Sequence, residues 1–269
     1  MNEINTEKTK IEKVELPVIS YSKLTTYKTC NKSYKFAYID KLPRLDKPYT
    51  IFGQFCHKAL EAFHIEYLNG SKEPIDIIMQ KSFQSAKDEW KEKMTSDQIK
   101  EAFQIMQDYL NIISNGEMPK VSSIEKKIYA TIDDTLILYG FIDRIQVDDD
   151  GVVHIVDYKT TKDERFLTDR TQLLLYAYTV YLENKDIKKI RTSYIMLKHK
   201  MKFLTAEHSV DELIETKDKL LHTWETIKSD KLYRASPVAW KCKNCDYVSS
   251  CKEGQRLVLK GKNFGEIDW

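Results

Sequence analysis

Gly140-Phe141-Ile142-Asp143, the turn Asp149-Asp150-Gly151 and then Asp157-Tyr158-Lys159 form the stretch whose reading decides the fold. The run before the turn, from Thr135 to Val147, is rich in Leu, Ile, Tyr, Phe and Val, and so is Val152 to Tyr158 after it. Both read as strands, with Asp-Asp-Gly as the hairpin connection. Strand side chains alternate between faces, so Asp157 and Lys159 point the same way. Asp143 on the paired strand adds a second carboxylate. Two hard oxygen ligands can hold Mg²⁺ or Mn²⁺, and an ammonium beside them can steady a water and the charge that develops on a phosphate. Taken alone, the set is also what a solvated ion pair at a hairpin looks like.

The residues after the lysine add to it. Thr171 to Glu183 has the period of an amphipathic helix, and Gln172 and Tyr176 fall at i, i+4 on one of its faces. Gly140-x-x-Asp143, Asp157-x-Lys159 and Gln172-x3-Tyr176, in this order, resemble the PD-(D/E)XK nuclease superfamily. The nearest likeness is to its RecB-like branch, with the AddB nuclease domain, the CRISPR-associated spacer-acquisition nucleases and phage exonucleases. The resemblance implies an α/β fold, a central mixed sheet flanked by helices. It also implies that Asp143 and Asp157 bind metal, with the backbone carbonyl of Tyr158 as a further ligand. Lys159 is then catalytic, while Gln172 and Tyr176 position the lysine and the DNA strand.

Upstream, Phe52-Gly53-Gln54-Phe55-Cys56-His57-Lys58-Ala59-Leu60-Glu61 resembles the family's G-x3-H-x2-L-E helix, whose histidine is a metal ligand. By periodicity alone, Gln54 to Leu68 is an amphipathic helix that ends before Gly70. His57, Glu61 and His64 form one polar stripe along it. The likeness makes His57 a ligand and Glu61 a residue that orients a ligand, whereas His64 is read as structural. Glu125, at the start of the first strand of the meander, reads as an exposed strand-end glutamate, with a place around the ligands the alternative that the resemblance implies. Arg144 falls on the face opposite Asp143 by strand period, where it packs or contacts DNA.

Cys242-x2-Cys245-x5-Cys251 lies near the C-terminus, and Cys30 lies about two hundred residues earlier. Four thiolates suit iron–sulfur or zinc equally in number. Three clustered thiols with a distant fourth resemble the staple of the AddB-like branch, which implies a [4Fe–4S] cluster tying the two ends together, with zinc the alternative. Cys56 is the odd thiol and reads as a small core residue. Met1 to Lys13 is charged, without the apolar core of a signal peptide, and no stretch approaches the roughly twenty apolar residues of a membrane span. A cytoplasmic, reducing setting is therefore expected, and it disfavours disulfides.

With 269 residues and 42% hydrophobic content the chain can bury a sizeable core. Lys+Arg 43 against Asp+Glu 41 leaves a net charge of only +2, so overall charge does not mark a nucleic-acid binder. Local charge is more suggestive. Lys23, Lys28, Lys32, Lys35, Lys41 and Arg44 interleave with Tyr27, Tyr34, Phe36 and Tyr38, which suits either a single-strand path or a solvated face over a tyrosine-rich core stripe.

The expected organisation is a disordered lead over 1–15 and one nuclease domain over 16–269. Within it come a helix from Ser22, as N-cap, to Ile39, a connector Leu42 to Thr50 and an inserted helical arm over 75–115 that shapes DNA access. A three-strand meander spans Val121 to Asp157. Strands near Ile190–Leu197 and Lys202–His208, a helix Val210–Ser229 and a cysteine-rich tail over 236–269 close the chain. The expected function is a metal-dependent deoxyribonuclease acting on DNA ends in recombination, repair, or phage or CRISPR DNA processing. The alternative is an inactive or partner-dependent DNA-binding subunit of a helicase, recombinase or integrase complex.

Overall fold

The computed structural model describes residues 15–45, 47–116 and 118–263. The expected disordered lead therefore falls, but for Glu15, outside the described residues, as do the last six residues of the tail. The architecture is a mixed six-stranded sheet with helices on both faces. In chain order the elements begin with β1 (Val18–Ile19), α1 (Tyr21–Thr29), α2 (Asn31–Tyr34), α3 (Pro48–Leu68), α4 (Ile75–Trp90) and α5 (Ser96–Asn115). Next are β2 (Val121–Ile132), β3 (Leu136–Val147), β4 (Val153–Lys159), α6 (Thr171–Glu183), β5 (Lys189–Met196) and β6 (Lys202–Ser209). Three helices complete the described chain: α7 (Val210–Ser229), α8 (Ala239–Lys243) and α9 (Lys252–Asn263).

The order across the sheet is β1-β3-β4-β5-β6, with β2 on the other edge of β3. β2 runs antiparallel to β3 along almost its whole length. The opposite edge of β3 is shared. Parallel β1 pairs with Ile137 and Leu138, and antiparallel β4 pairs only from Arg144 to Val147. β5 lies parallel to β4 as far as Lys159↔Met196, and β6 is antiparallel to β5. The stretch of β3 between the two partners, which holds Gly140 and Asp143, therefore faces a gap in the sheet.

Two apolar cores lie on the two faces. One joins α1, α6 and α7 to Leu138, Ile155 and Tyr194 of the sheet. The other packs α3, α4 and α5 on Val156, Tyr158 and Ile195. Phe55, Leu60 and Phe63 of α3 are fully buried in this second core. Cys56 lies among them, and burial pushes its thiol up to about 12. His64 is equally buried and meets the Tyr109 hydroxyl at 2.6 Å, a structural role. Arg144 is buried here too, donating to the hydroxyls of Tyr109 and Tyr158 at 2.9 Å each.

Several boundaries differ from the sequence expectation. The first helix is capped by Ser20, whose hydroxyl accepts from the Lys23 amide, rather than by Ser22. It breaks at Cys30, which is extended, and resumes as α2 and a π-helical turn over Lys35–Ile39. α3 begins at Pro48 inside the expected connector, because proline is well suited to the first turn of a helix, where its missing N–H leaves nothing unsatisfied. The arm is two helices, the second started by a capping box between Thr95 and Gln98. Tyr27 and Tyr34 belong to the core, and Lys32 and Lys35 are paired with Glu253 and Asp40. The N-terminal basic–aromatic stripe is therefore mostly a core face with a solvated rim.

Asp230, at the end of α7, holds α1 and α2 in place. Its carboxylate accepts from Tyr27 Oη at 2.9 Å and Asn31 Nδ2 at 2.8 Å, and from the amides of Leu232 and Tyr233 at 2.9 Å each. The Tyr233 amide leads the donors that hold this carboxyl down at about 2, against an ordinary value of 3.8. A carboxyl depressed on folding contributes stability that is complete above its unfolded value and is lost as pH falls through its folded value. Asp230→Asn should lower the melting temperature at neutral pH, and its deficit should shrink between about pH 4 and pH 2. A deficit that stays constant over that range in thermal melts would show that other groups hold the helices.

Candidate active site

The ladder between β3 and β4 stops at Arg144↔Val156. One step further along are Asp143 and Asp157, where the strands part. Beyond the last pair, the backbone of Tyr158 has no strand partner on the β3 side. The Asp143 carboxylate accepts its N–H at 2.7 Å, and His57 Nε2 meets its carbonyl oxygen at 2.9 Å. His57 Nδ1 lies 3.3 Å from Asp143 Oδ2. A carbonyl and a carboxylate only accept, so both ring nitrogens donate and the ring is an imidazolium. Burial opposes that charge, but the Asp143 carboxylate outweighs it and raises His57 to about 9. Burial likewise works against the Asp143 anion, and His57 overrides it to hold that carboxyl below its ordinary range.

Asp157 and Lys159 do share a face. Lys159 Nζ is 2.6 Å from Asp157 Oδ2 and donates to Gln172 Oε1 at 3.0 Å. Gln172 Nε2 then donates to the Tyr176 hydroxyl at 3.3 Å. The helical i, i+4 spacing thus delivers an amide that fixes the lysine and a phenol that fixes the amide. Tyr176 in turn explains Gly140: a Cβ there would lie 3.0 Å from the phenol oxygen and 3.1 Å from the ring. Burial raises the Asp157 carboxyl to about 6, with the Lys159 ammonium opposing and the Asp143 carboxylate adding to the rise.

Glu125 carried little weight in the sequence, yet it stands at the centre of the site. Ligand atoms of His57, Glu125 and Asp143 all lie within 4.8 Å of one another. Glu125 has φ 45°, a left-handed conformation in the middle of a strand, and it interrupts the β2–β3 pairing between Ile124↔Arg144 and Lys126↔Ile142. A non-glycine residue held there carries backbone strain of roughly 1–3 kcal/mol. Burial, then the nearby Asp143 carboxylate, raises Glu125 to about 7. Strand periodicity offers no sign of this turn. The visible signal is register: Glu125 and Asp143 are each nine residues from Asp134, the middle of the hairpin turn. Glu61 borders the same cleft of about 520 Å³, whose walls also include Tyr49 and Trp90.

The donor set suits a hard divalent cation. One imidazole nitrogen, carboxylate oxygens and a backbone carbonyl converge where the carboxylates are crowded and the charges of His57 and Lys159 offset them. His57, Glu125, Asp143 and the Tyr158 carbonyl form one contiguous group, and Asp157 stands beside it, paired with Lys159.

The four expected cluster cysteines all line one cavity of about 530 Å³ between α1–α2 and the tail. Cys30 Sγ accepts from the Ser236 amide and Cys251 Sγ from the Gly254 amide, both at 3.4 Å. The sulfurs do not converge into a closed ligand set. Among the described residues, the one group with ligand atoms within 4.8 Å is that of His57, Glu125 and Asp143.

A family model for the PD-(D/E)XK nuclease superfamily matches residues 18–252. Among solved structures, a protein from Eubacterium rectale, provisionally described as an exonuclease, aligns with a TM-score of 0.52 at 12% identity. The alignment covers 88% of this chain and 91% of that one, and it is a likeness of fold. SSO0001 aligns over 82% of this chain and 94% of its own at 14% identity, with a TM-score of 0.34. No curated protein matches in sequence. Among the described residues, no helix is long and apolar enough to cross a membrane.

Metal binding at this group should appear as thermal stabilisation. A cation bound only by the folded chain adds about 2.7 kcal/mol at a hundred times its Kd. Mn²⁺ should raise the melting temperature of the wild type and much less that of Asp143→Asn or Glu125→Gln. Equal shifts in all three, followed by calorimetry, would place the ion elsewhere.

Proposed function

The chain belongs to the PD-(D/E)XK nuclease superfamily, and on that premise we propose that it is a Mg²⁺- or Mn²⁺-dependent deoxyribonuclease that trims DNA ends. The observation that carries this reading is the junction of two groups at the parted strands. One is the His57–Glu125–Asp143 set, and the other is Lys159 held beside Asp157 by Gln172. No folding need calls for three carboxylates in so confined a site, because burying like charges together opposes folding.

In this reading His57, Asp143, Asp157 and the Tyr158 carbonyl hold the metal, with Glu125 completing the set. The bound ion supplies Lewis-acid stabilisation of the phosphate and the leaving oxygen, and lowers the pKa of an attacking water. Lys159 Nζ orients that water as the ammonium, or takes its proton after first giving up one of its own. Gln172 keeps the ammonium aimed, and Tyr176 keeps Gln172 in place. Glu61 borders the cleft and orients ligands from α3. The protein acts on DNA in the cytoplasm, alone or with a helicase, recombinase or integrase partner.

Purified protein incubated with Mn²⁺ and end-labelled single- or double-stranded DNA tests this reading. Wild type should release short products from the ends, and Lys159→Ala should be slower by about 10²-fold or more. Intact DNA with wild type, in a preparation shown to bind Mn²⁺, would sink the enzyme reading and leave a DNA-binding subunit.

We further assign Cys30, Cys242, Cys245 and Cys251 to a structural [4Fe–4S] cluster. The shared cavity supports it, as do amide donors aimed at two of the sulfurs, since such hydrogen bonds favour thiolates. Protein prepared without oxygen should be brown and contain iron, and Cys30→Ser should lose both. A colourless protein with one zinc per chain would replace the cluster with zinc.

A further inference from the structure

The β2–β3 ribbon has one side in the core. Ile128, Ile132, Leu136 and Leu138 are at most 4% exposed and cluster with Leu173 and Tyr176 of α6. The other side carries Lys127, Tyr129, Tyr139 and Phe141. The register sets Lys127 opposite Phe141 and Tyr129 opposite Tyr139, so the four side chains form a two-by-two patch. Tyr129 is 61% exposed and Phe141 43%. The Tyr139 and Phe141 rings meet edge to face at 5.6 Å. Lys127 Nζ lies 6.0 Å from the Tyr129 ring centre and 5.9 Å from that of Tyr139. Among the described residues no carboxylate is paired with Lys127, although its neighbour Lys126 is paired with Glu183.

The patch begins where the proposed metal ligands end. Lys127 is two residues along β2 from Glu125, and Phe141 is two residues along β3 from Asp143. At the rise of a strand that separation is roughly 7 Å. We propose that these four residues are a platform for the single-stranded part of the DNA whose end lies at the metal site, with bases stacked on the rings and Lys127 on a phosphate. The inference rests on the nuclease reading and narrows its substrate. An exposed cation among aromatic rings complements a polyanion with flat, apolar bases. Continuity with a phosphodiester site favours nucleic acid over a protein partner. A duplex keeps its base faces stacked on one another and offers the rings nothing, so the platform selects unpaired DNA.

Binding is measured by fluorescence anisotropy in EDTA, with labelled oligothymidylate and a blunt hairpin duplex of equal length. Without divalent metal the reading is independent of cleavage, so this inference and the nuclease reading fail separately. Tyr129→Ala and Phe141→Ala should each weaken oligothymidylate binding by about fivefold or more. Tyr129→Phe should keep the affinity, and Tyr129→Leu, which keeps apolar area without a ring, should lose it. Lys127→Ala should reduce the slope of log affinity against log salt by about 0.7, one phosphate contact on a single strand. Duplex binding should change by less than about twofold (0.4 kcal/mol). Unchanged oligothymidylate affinity in the alanine variants, or equal losses on the duplex, would overturn the proposal. So would a dimer in sedimentation that Tyr129→Ala converts to monomer, since the patch would then be covered by a second copy of the chain.

Discussion

The parting of β3 and β4 after Arg144↔Val156 is the constraint on which the rest of the site depends. Backbone donors and acceptors removed from a ladder must be met by something. Here the unmet groups belong to Tyr158, and they are met by two side chains of the site, Asp143 on its N–H and His57 on its carbonyl. The same bonds that satisfy the backbone therefore fix the orientation of a carboxylate, an imidazole and a carbonyl. The opening is held from both sides of the sheet. Arg144 ties Tyr158 to Tyr109 on one face, and the chain Lys159–Gln172–Tyr176 closes against Gly140 on the other. Any side chain at 140 would push on Tyr176 and, through Gln172, on the lysine.

Charge sets the second condition. Among the described residues, the cations that favour the Glu125, Asp143 and Asp157 anions are His57 and Lys159, while Lys58 on the cleft wall is paired with Glu61. Burial, and then the neighbouring Asp143 carboxylate, shift Glu125 and Asp157 upward, toward holding a proton, while His57 keeps its proton firmly. These directions describe a site short of positive charge. A divalent ion would supply it without a proton, and the proton on His57 would have to leave. The positive φ of Glu125 fits the same account. Local strain that brings one more oxygen into a cation site is tolerated when the surrounding sheet and α3 over-determine the backbone.

The parts of the site legible in the sequence are those that obey a regular period. Asp157 and Lys159 are two apart on a strand, Gln172 and Tyr176 are four apart on a helix, and the Asp-Asp-Gly turn sets the hairpin that brings Asp143 alongside. Glu125 was hard to weigh because its backbone leaves the strand conformation there, so alternation assigns it no role. The start of α3 was misplaced because Pro48 reads as a loop residue, although the first turn of a helix accommodates it. The lysine–tyrosine stretch around Tyr27 and Tyr34 suits a nucleic-acid path and a core stripe equally, because composition does not distinguish a buried stripe from an exposed one. Conversely, Tyr129, Tyr139 and Phe141 carry no distinguishing signal in the sequence, since aromatic residues are ordinary in strands. Only the bare face of the β2–β3 ribbon gives them another meaning.

Helices α1, α2 and α9 bear on the site through β1. This short strand pairs with Ile137 and Leu138 on the edge of β3 that β4 occupies further along, so β1 forms one border of the gap that contains the site. β1 leads directly into α1 and α2, which are tied to α7 by Asp230 and to α9 by the pair Lys32–Glu253 at 2.8 Å. The cysteine cavity lies between the same helices and the tail. A metal group held there would therefore act on the site mechanically rather than chemically. By pinning α1 and α2 it would keep β1 on β3, and so keep the strands at the width that lets Asp143 and His57 reach Tyr158.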